Sequence, residues 1–281
     1  MQVFDKNAVV KPFIKWVGSK RSNLPKLMKY VPDNIDTYVE PFLGCGAMYF
    51  ALKFNRAIVN DINTELICAY RQVRDHTFEL KSLLKTFRYE KEQYLEIRAW
   101  DRDPDFSKRP EVERAARLIY LIKTGFNGLY RVNKKNFNNV PFGRYDNVVI
   151  CDEERLDRCS EYLRRHETEI FNQDYYTLLD RIPDDAFVYL DPPYHPLTVT
   201  SKFTSYMPGV WAEAEQRRLA QFCRELDRRG IKFMQTNSTA PLMFDIYREF
   251  NITTVDAKRN INSDATKRKA IKELIITNYQ I

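Results

Sequence analysis

Short apolar runs bounded by turn residues alternate with longer segments of helical spacing along most of this chain. Thr37–Phe42 and Ala57–Asp61 read as buried strands. Between them, the loop Leu43-Gly44-Cys45-Gly46 leads into an apolar run, Ala47–Phe54, that reads as a helix. Asn63–His76 then repeats Leu66, Ile67, Tyr70 and Val73 at helical spacing. A strand–loop–helix–strand–helix unit of this kind builds a parallel sheet. A shorter helix is expected upstream, over Leu24–Tyr30. Between Thr77 and Ile150 the alternation stops. Helical segments, including Glu111–Lys123, follow one another and give way to Asn127–Tyr145, which reads as a hairpin rich in Asn, Lys and Arg. The alternation resumes with a helix over Glu153–His166, a strand over Glu169–Asn172, a short helix over Tyr175–Ile182 and a strand over Ala186–Leu190. A long helix, Ala212–Arg229, ends at Gly230, a natural residue for the left-handed turn that closes a helix. Strands follow at Lys232–Thr236, Ile252–Asp256 and Glu273–Asn278, the last two as an antiparallel hairpin around the polar loop Lys258–Lys269. The pattern predicts an α/β protein with a sheet-forming unit over residues 1–76 and 151–281. A mostly helical insertion, residues 77–150, ends in an exposed hairpin.

The Ala186–Leu190 run ends in Asp191-Pro192-Pro193-Tyr194. The prolines stop ladder pairing and stiffen the backbone, so a carboxylate, a carbonyl and an aromatic ring are held together. Ligands of open α/β sheets bind at that end of a strand. The set suits a flat heterocycle with an exocyclic amine: Asp191 and the Pro192 carbonyl accept its hydrogens and Tyr194 stacks on the ring. A plain Asp-Pro-Pro turn is the competing reading. Glu40-Pro41-Phe42-Leu43-Gly44-Cys45-Gly46 places glycines between strand and helix, where backbone can approach a ligand closely and a helix N-terminus offers free N–H groups. Position 49 is Tyr, so the dinucleotide fingerprint is incomplete, and a ligand with a carboxylate and a nucleoside fits better. Asp61 closes the next strand, where an acid commonly binds ribose hydroxyls. A tight turn with a capping Asp is the alternative. Phe13–Lys20 sets Trp16 and two lysines around a glycine turn, which equally describes a helix start with a core tryptophan. In the hairpin, Arg can pair with guanine, Asn with adenine, and Lys with phosphate. A solvated basic loop has the same composition.

Composition narrows the class. The 281 residues carry a net charge of +7 and 14% aromatics, which favours a polyanionic partner and allows base stacking. Five cysteines with no C-x-x-C spacing point to neither a disulfide framework nor a zinc site, and fit a reducing cytoplasm. Three scattered histidines form no ligand pattern, so no metal is expected. The N-terminus lacks a signal-peptide core, and no apolar stretch is long enough to span a membrane.

Taken in order, F-I-K-W-V-G-S-K at 13–20, V-E-P-F-L-G-C-G at 39–46, N-D-I-N at 60–63, N-G-L-Y-R at 127–131, N-V-P-F-G-R-Y at 139–145 and D-P-P-Y at 191–194 resemble the Dam-type DNA adenine-N6 methyltransferases, in particular the DpnM-type GATC-modifying branch. F-T-S-Y at 203–206 and K-R-K-A-I-K-E-L at 267–274 match as well, and the motif order is that of the α class of amino-methyltransferases. The resemblance implies a Rossmann-like S-adenosylmethionine-dependent methyltransferase sheet with an antiparallel C-terminal hairpin and an inserted DNA-recognition domain. It implies that Trp16, Lys20, Glu40, Phe42, Gly44, Gly46, Asp61 and Asp191 bind S-adenosylmethionine, and that Asp191, Pro192, Pro193 and Tyr194 are catalytic. Lys15, Asn127, Leu129, Arg131, Pro141 and Arg144 are implied to touch double-stranded DNA, Arg131 reading a guanine. The implied enzyme is cytoplasmic, monomeric when free, and methylates an adenine flipped out of the duplex, in GATC by analogy. The chain departs from the family where Gly-Gly-Lys becomes Gly18-Ser19-Lys20, since Ser tolerates positive φ less well than Gly, and at the hairpin tip, where Asn138 separates Phe137 from Asn-Val-Pro. Rival readings are methylation of RNA or another planar amine, a non-catalytic DNA-binding module, and a NAD-dependent oxidoreductase. The hairpin opposes the first, the intact Asp191–Tyr194 the second, and the incomplete glycine fingerprint the third.

Overall fold

The computed structural model describes residues 9–197, 211–257 and 271–280. The expected polar loop Lys258–Lys269 and the segment Phe203–Tyr206 lie outside them. Seven strands form one sheet: β1 (Thr37–Glu40), β2 (Arg56–Asn60), β3 (Thr168–Phe171), β4 (Phe187–Leu190), β5 (Lys232–Ser238), β6 (Asn251–Ala257) and β7 (Ile271–Thr277), in the order β3-β2-β1-β4-β5-β7-β6. The first five in that order pair in parallel. β7 slots between β5 and β6 and runs antiparallel to both. The apolar runs behave as buried parallel strands because both faces are covered. Tyr38, Val59, Phe187 and Tyr189 enter the core on one face, and Val39, Ile58, Val188 and Leu190 enter the core on the other, the two-residue alternation of a strand.

The helices are α1 (Leu24–Leu27), α2 (Thr64–Asp75), α3 (Thr77–Leu84), α4 (Lys91–Ala99), α5 (Glu111–Thr124), α6 (Glu153–Arg165), α7 (Glu213–Arg228) and α8 (Pro241–Ile246). α2 packs against α5 and α6 on one face of the sheet, while α7 and α8 pack into the core on the other. α2 starts where Asn63 caps it, its side chain accepting from the Leu66 N–H. α7 closes at Gly230, whose φ is +70°. Within residues 77–150, α3 and α5 pack into the same core as the sheet; Leu80, Ala115, Leu118 and Ile119 are buried there.

Four local expectations change. Ala47–Phe54 is not a helix: only Tyr49–Ala51 makes a 3-10 turn. Ala47, Met48, Tyr49 and Phe50 are buried in succession rather than along one stripe, and the Tyr49 N–H goes to the Glu40 carboxylate at 3.2 Å instead of to a helical carbonyl. Leu24–Tyr30 divides into α1 and a 3-10 turn at Met28–Tyr30. Tyr175–Arg181 is likewise 3-10. Residues 127–145 form no regular strands; isolated bridges at Gly125–Phe142 and Val132–Asn138 hold the loop instead.

Candidate active site

The strand order reverses between β1 and β4, and the turns after these two strands carry the candidate chemistry. Connections leave such a point toward opposite faces, which opens a crevice beyond the strand ends. After β4, Asp191 is fixed through one oxygen. The Thr236 hydroxyl, on neighbouring β5, donates to Oδ1 at 2.8 Å, and Lys20 Nζ meets the same oxygen at 2.9 Å. Lys20 also donates to the Gly18 carbonyl at 3.1 Å and lies 4.5 Å from the centre of the Tyr194 ring. Its side chain is 7% exposed. Burial alone lowers its pKa, but Asp191, with Tyr189 and Glu273 adding to it, outweighs burial and holds Lys20 above its ordinary value. The ammonium is therefore a fixed charge of the site.

Pro192 and Pro193 set φ, and side chains tie down the backbone around them. Gln216 of α7 donates to the Pro193 carbonyl at 2.9 Å and accepts from Asn237 at 3.1 Å. Asn237 in turn accepts the His195 N–H at 3.2 Å, and the Ser238 hydroxyl donates to the His195 carbonyl at 2.6 Å. The Tyr194 hydroxyl donates to Glu273 Oε2 at 3.2 Å. Burial, with the charges of Asp191 and Glu273 beside it, keeps that phenol protonated well above its ordinary range.

At the end of β1, Glu40 is buried and accepts from the Tyr38 hydroxyl at 2.9 Å as well as from Tyr49. Burial raises its pKa well above the ordinary carboxylate value, against those hydrogen bonds, and the charges of Asp191 and Asp61 push the same way. Asp61 binds the glycine turn and the next helix entry: Oδ2 accepts from Gly44 N–H and Oδ1 from Asn63 N–H, both at 2.9 Å. The expectation of free helix N–H groups here is therefore corrected. No α-helix follows the turn, Gly44 gives its N–H to Asp61, and Gly46 gives its own to the Leu43 carbonyl at 2.7 Å. Gly44 permits a close approach of another kind, since a Cβ there would lie 3.2 Å from the Trp16 ring. Phe42 packs its ring on Tyr175 and Trp211. Cys45 is buried and its thiol is pushed up to about 11, so it stays protonated and is no nucleophile. The serine at position 19 costs the turn nothing: Gly18 takes the positive φ of 79°, while Ser19 sits at −47°.

Trp16 connects the glycine turn to the basic loop. It stacks on Tyr130 with centroids 5.0 Å apart and planes at 22°. Next to it, Lys15 Nζ donates to the Asn127 carbonyl at 2.6 Å. Asn127 holds an unusual φ of 55°, a conformation that often marks a functional turn. Lys15, Asn127, Arg131, Pro141 and Arg144 are exposed and Leu129 is half-buried. Arg131 is braced by Asn139, Nε donating to Oδ1 at 2.7 Å and Nη2 to the carbonyl at 3.1 Å. The loop keeps its shape without a ladder because α4 and the turn after it hold its carbonyls. Tyr94 and Arg98 donate to Val140 O at 2.9 and 2.8 Å, Arg102 donates to Asn138 O at 2.7 Å, and Asp101 accepts the Asn138 N–H at 2.7 Å.

Thr236, Glu273, Gln216, Asn237 and Tyr130 were not foreseen. A readable signal existed for two of them: Gln235-Thr236-Asn237-Ser238 is a polar run closing an apolar strand, where a ligand-facing end belongs. Among the described residues, no group of His, Cys, Asp and Glu is arranged to hold a metal ion, and no helix is long and apolar enough to cross a membrane.

Comparison with known proteins identifies the family. Residues 16–261 match the family described as D12 class N6 adenine-specific DNA methyltransferase. The chain is 42% identical over 282 residues to the Type II methyltransferase M1.LlaDCHI of Lactococcus lactis subsp. cremoris, covering 99% of each protein. It is 42% identical over 296 residues to the Type II methyltransferase M.MjaIII of Methanocaldococcus jannaschii, covering 96% of this chain and 99% of that one. To the DNA adenine methylase of Escherichia coli K12 it is 30% identical over 263 residues, 94% of this chain and 93% of that one. With the family model matched over residues 16–261 and relatives 42% identical along nearly the whole chain, the chain belongs to the D12 class of N6 adenine-specific DNA methyltransferases.

Proposed function

We propose that this enzyme methylates N6 of an adenine flipped out of double-stranded DNA, with S-adenosylmethionine as donor and GATC as the target sequence. One observation carries the reading. Thr236 and Lys20 both converge on Asp191 Oδ1, so the carboxylate is aimed by one oxygen and offers Oδ2 to a ligand. Oδ2 and the Pro192 carbonyl would accept the two N6 hydrogens, turning the nitrogen lone pair out of the ring and offsetting the positive charge that develops on it. Tyr194 would stack on the extruded base, which offsets part of the few kcal/mol that flipping costs.

The residues present suit a cationic nucleoside. Glu40, Asp61 and Asp191 lie close enough for the last two to raise the proton affinity of the first, and a cation between them would relieve that repulsion. Trp16, Lys20, Glu40, Phe42, Gly44, Gly46, Asp61 and Asp191 would hold the donor, which supplies a sulfonium methyl group when bound. Lys15, Asn127, Leu129, Arg131, Pro141 and Arg144 would contact the duplex. The bracing of Arg131 by Asn139 leaves the far edge of its guanidinium for a guanine. In this reading residues 77–150 form the target-recognition unit on a catalytic unit of 1–76 and 151–281, and the enzyme works as a cytoplasmic monomer.

The test is transfer of tritium from labelled S-adenosylmethionine to duplexes with and without GATC. Label in adenine of the GATC duplex alone is expected. Label in other duplexes at equal rate would overturn the target, and no label in any would overturn the donor.

A further inference from the structure

Tyr194 does more than a stacking ring requires. A phenylalanine ring would stack as well, yet the hydroxyl of Tyr194 is spent on Glu273 at 3.2 Å. The two prolines before it fix the backbone but leave the ring free to swing about χ1, a motion in which the phenolic oxygen, at the far end, sweeps the widest arc. A bond at the far end of the ring removes that freedom. Glu273 reaches this place because β7 runs antiparallel to both strands that flank it. Its first residues therefore lie at the carboxyl edge of the parallel strands, with Glu273 opposite Ser238 on β5. On the other side of the corner, Lys20 lies 4.5 Å from the ring centre and 2.9 Å from Asp191. Asp191, Lys20, Tyr194 and Glu273 thus form one continuous run of contacts.

We propose that Glu273 is a positioning residue: its carboxylate locks the Tyr194 ring into the one orientation that receives the extruded adenine. The proposal rests on the functional reading above. The buried phenol stays protonated and is the donor of this bond, so what Glu273 must supply is an acceptor oxygen. A glutamine at 273 keeps that oxygen while removing the charge; an alanine removes both.

The experiment compares Glu273→Ala, Glu273→Gln, Tyr194→Phe and the double variant Tyr194→Phe/Glu273→Ala in the full chain. The expected loss for Glu273→Ala is about tenfold in kcat, the worth of one hydrogen bond to a charged acceptor, with KM for the duplex within about twofold. Tyr194→Phe should match it, the double variant should be no worse than either, and Glu273→Gln should stay within about threefold of the parent. With 2-aminopurine in place of the target adenine, the Glu273→Ala complex should emit at least about twofold more than the parent complex, because a flipped base that is not stacked is not quenched. Additive kcat losses, or parental emission from Glu273→Ala, would overturn the proposal. So would a glutamine variant as slow as the alanine one. The same cycle read in the thermal midpoint of the free protein tests the contact without any substrate, and additive shifts there would also overturn it. A parent enzyme that labels no adenine would instead overturn the functional reading, whatever the cycle gives.

Discussion

Glu40 shows how one residue serves fold and site together. It ends β1, accepts from Tyr38 and Tyr49, and so ties the strand to the chain beyond the glycine turn. Burial holds its carboxyl well above the ordinary value. The native protein therefore binds this proton more tightly than the unfolded chain does. The stability that comes from Glu40 is full below the ordinary carboxylate range and is lost as pH rises from there through the raised native value. Glu40→Gln keeps the acceptor and deletes the titration. Its thermal midpoint should fall less than the parent's between about pH 5 and pH 8, and parallel curves would contradict the assignment. Arg131 belongs to the same scale. Arg131→Ala should lower discrimination between GATC and a site altered at guanine by about 5- to 150-fold, the worth of one bidentate contact, as read in competition binding. Unchanged discrimination would move the reading residue elsewhere. Residues such as Asp191 and Arg131 were legible because their neighbours in the chain give them context. Thr236 and Glu273 were not, because they come to Asp191 and Tyr194 from β5 and β7, and only the sheet order brings them there.

At the scale of elements, strands were read more accurately than connections. Apolar runs of four or five residues followed by Pro, Asp or Asn, as at β1 to β4, have few ways to be anything but buried parallel strands. Ala47–Phe54 has the same apolar character but no stripe, and its backbone is claimed by Glu40, so its conformation depended on a contact outside the run. The basic loop depended on outside contacts still more. Asp101 accepts from the Asn138 N–H and faces buried Arg117 at 2.7 Å. Asp101→Ala would leave that buried guanidinium without its carboxylate, with only the Ile97 and Arg98 carbonyls as acceptors, which costs about 3–5 kcal/mol in denaturant unfolding. It should also expose residues 131–139 to limited proteolysis before the sheet unfolds. Equal protection of the loop in variant and parent would show that its shape does not depend on this anchor.

Across the whole molecule, charge and topology point the same way. The net charge of +7 includes the exposed Lys15, Arg131, Lys134, Lys135 and Arg144 around the loop. If about five of these cations meet phosphate, the logarithm of duplex affinity should fall against the logarithm of salt with a slope of about −4 to −5. A slope near zero would mean that the loop does not lie on the backbone. At the switch point between β1 and β4, Asp191 lies near enough to Glu40 for its charge to raise the proton affinity of that carboxyl. Its central role is tested most directly by nucleoside analysis of a duplex treated with the parent enzyme or with Asp191→Ala. The parent should yield N6-methyladenine and no methylated cytosine. The variant should bind the duplex within about threefold of the parent yet transfer methyl about 10²- to 10³-fold more slowly. N6-methyladenine formed at the parental rate by Asp191→Ala would contradict the account.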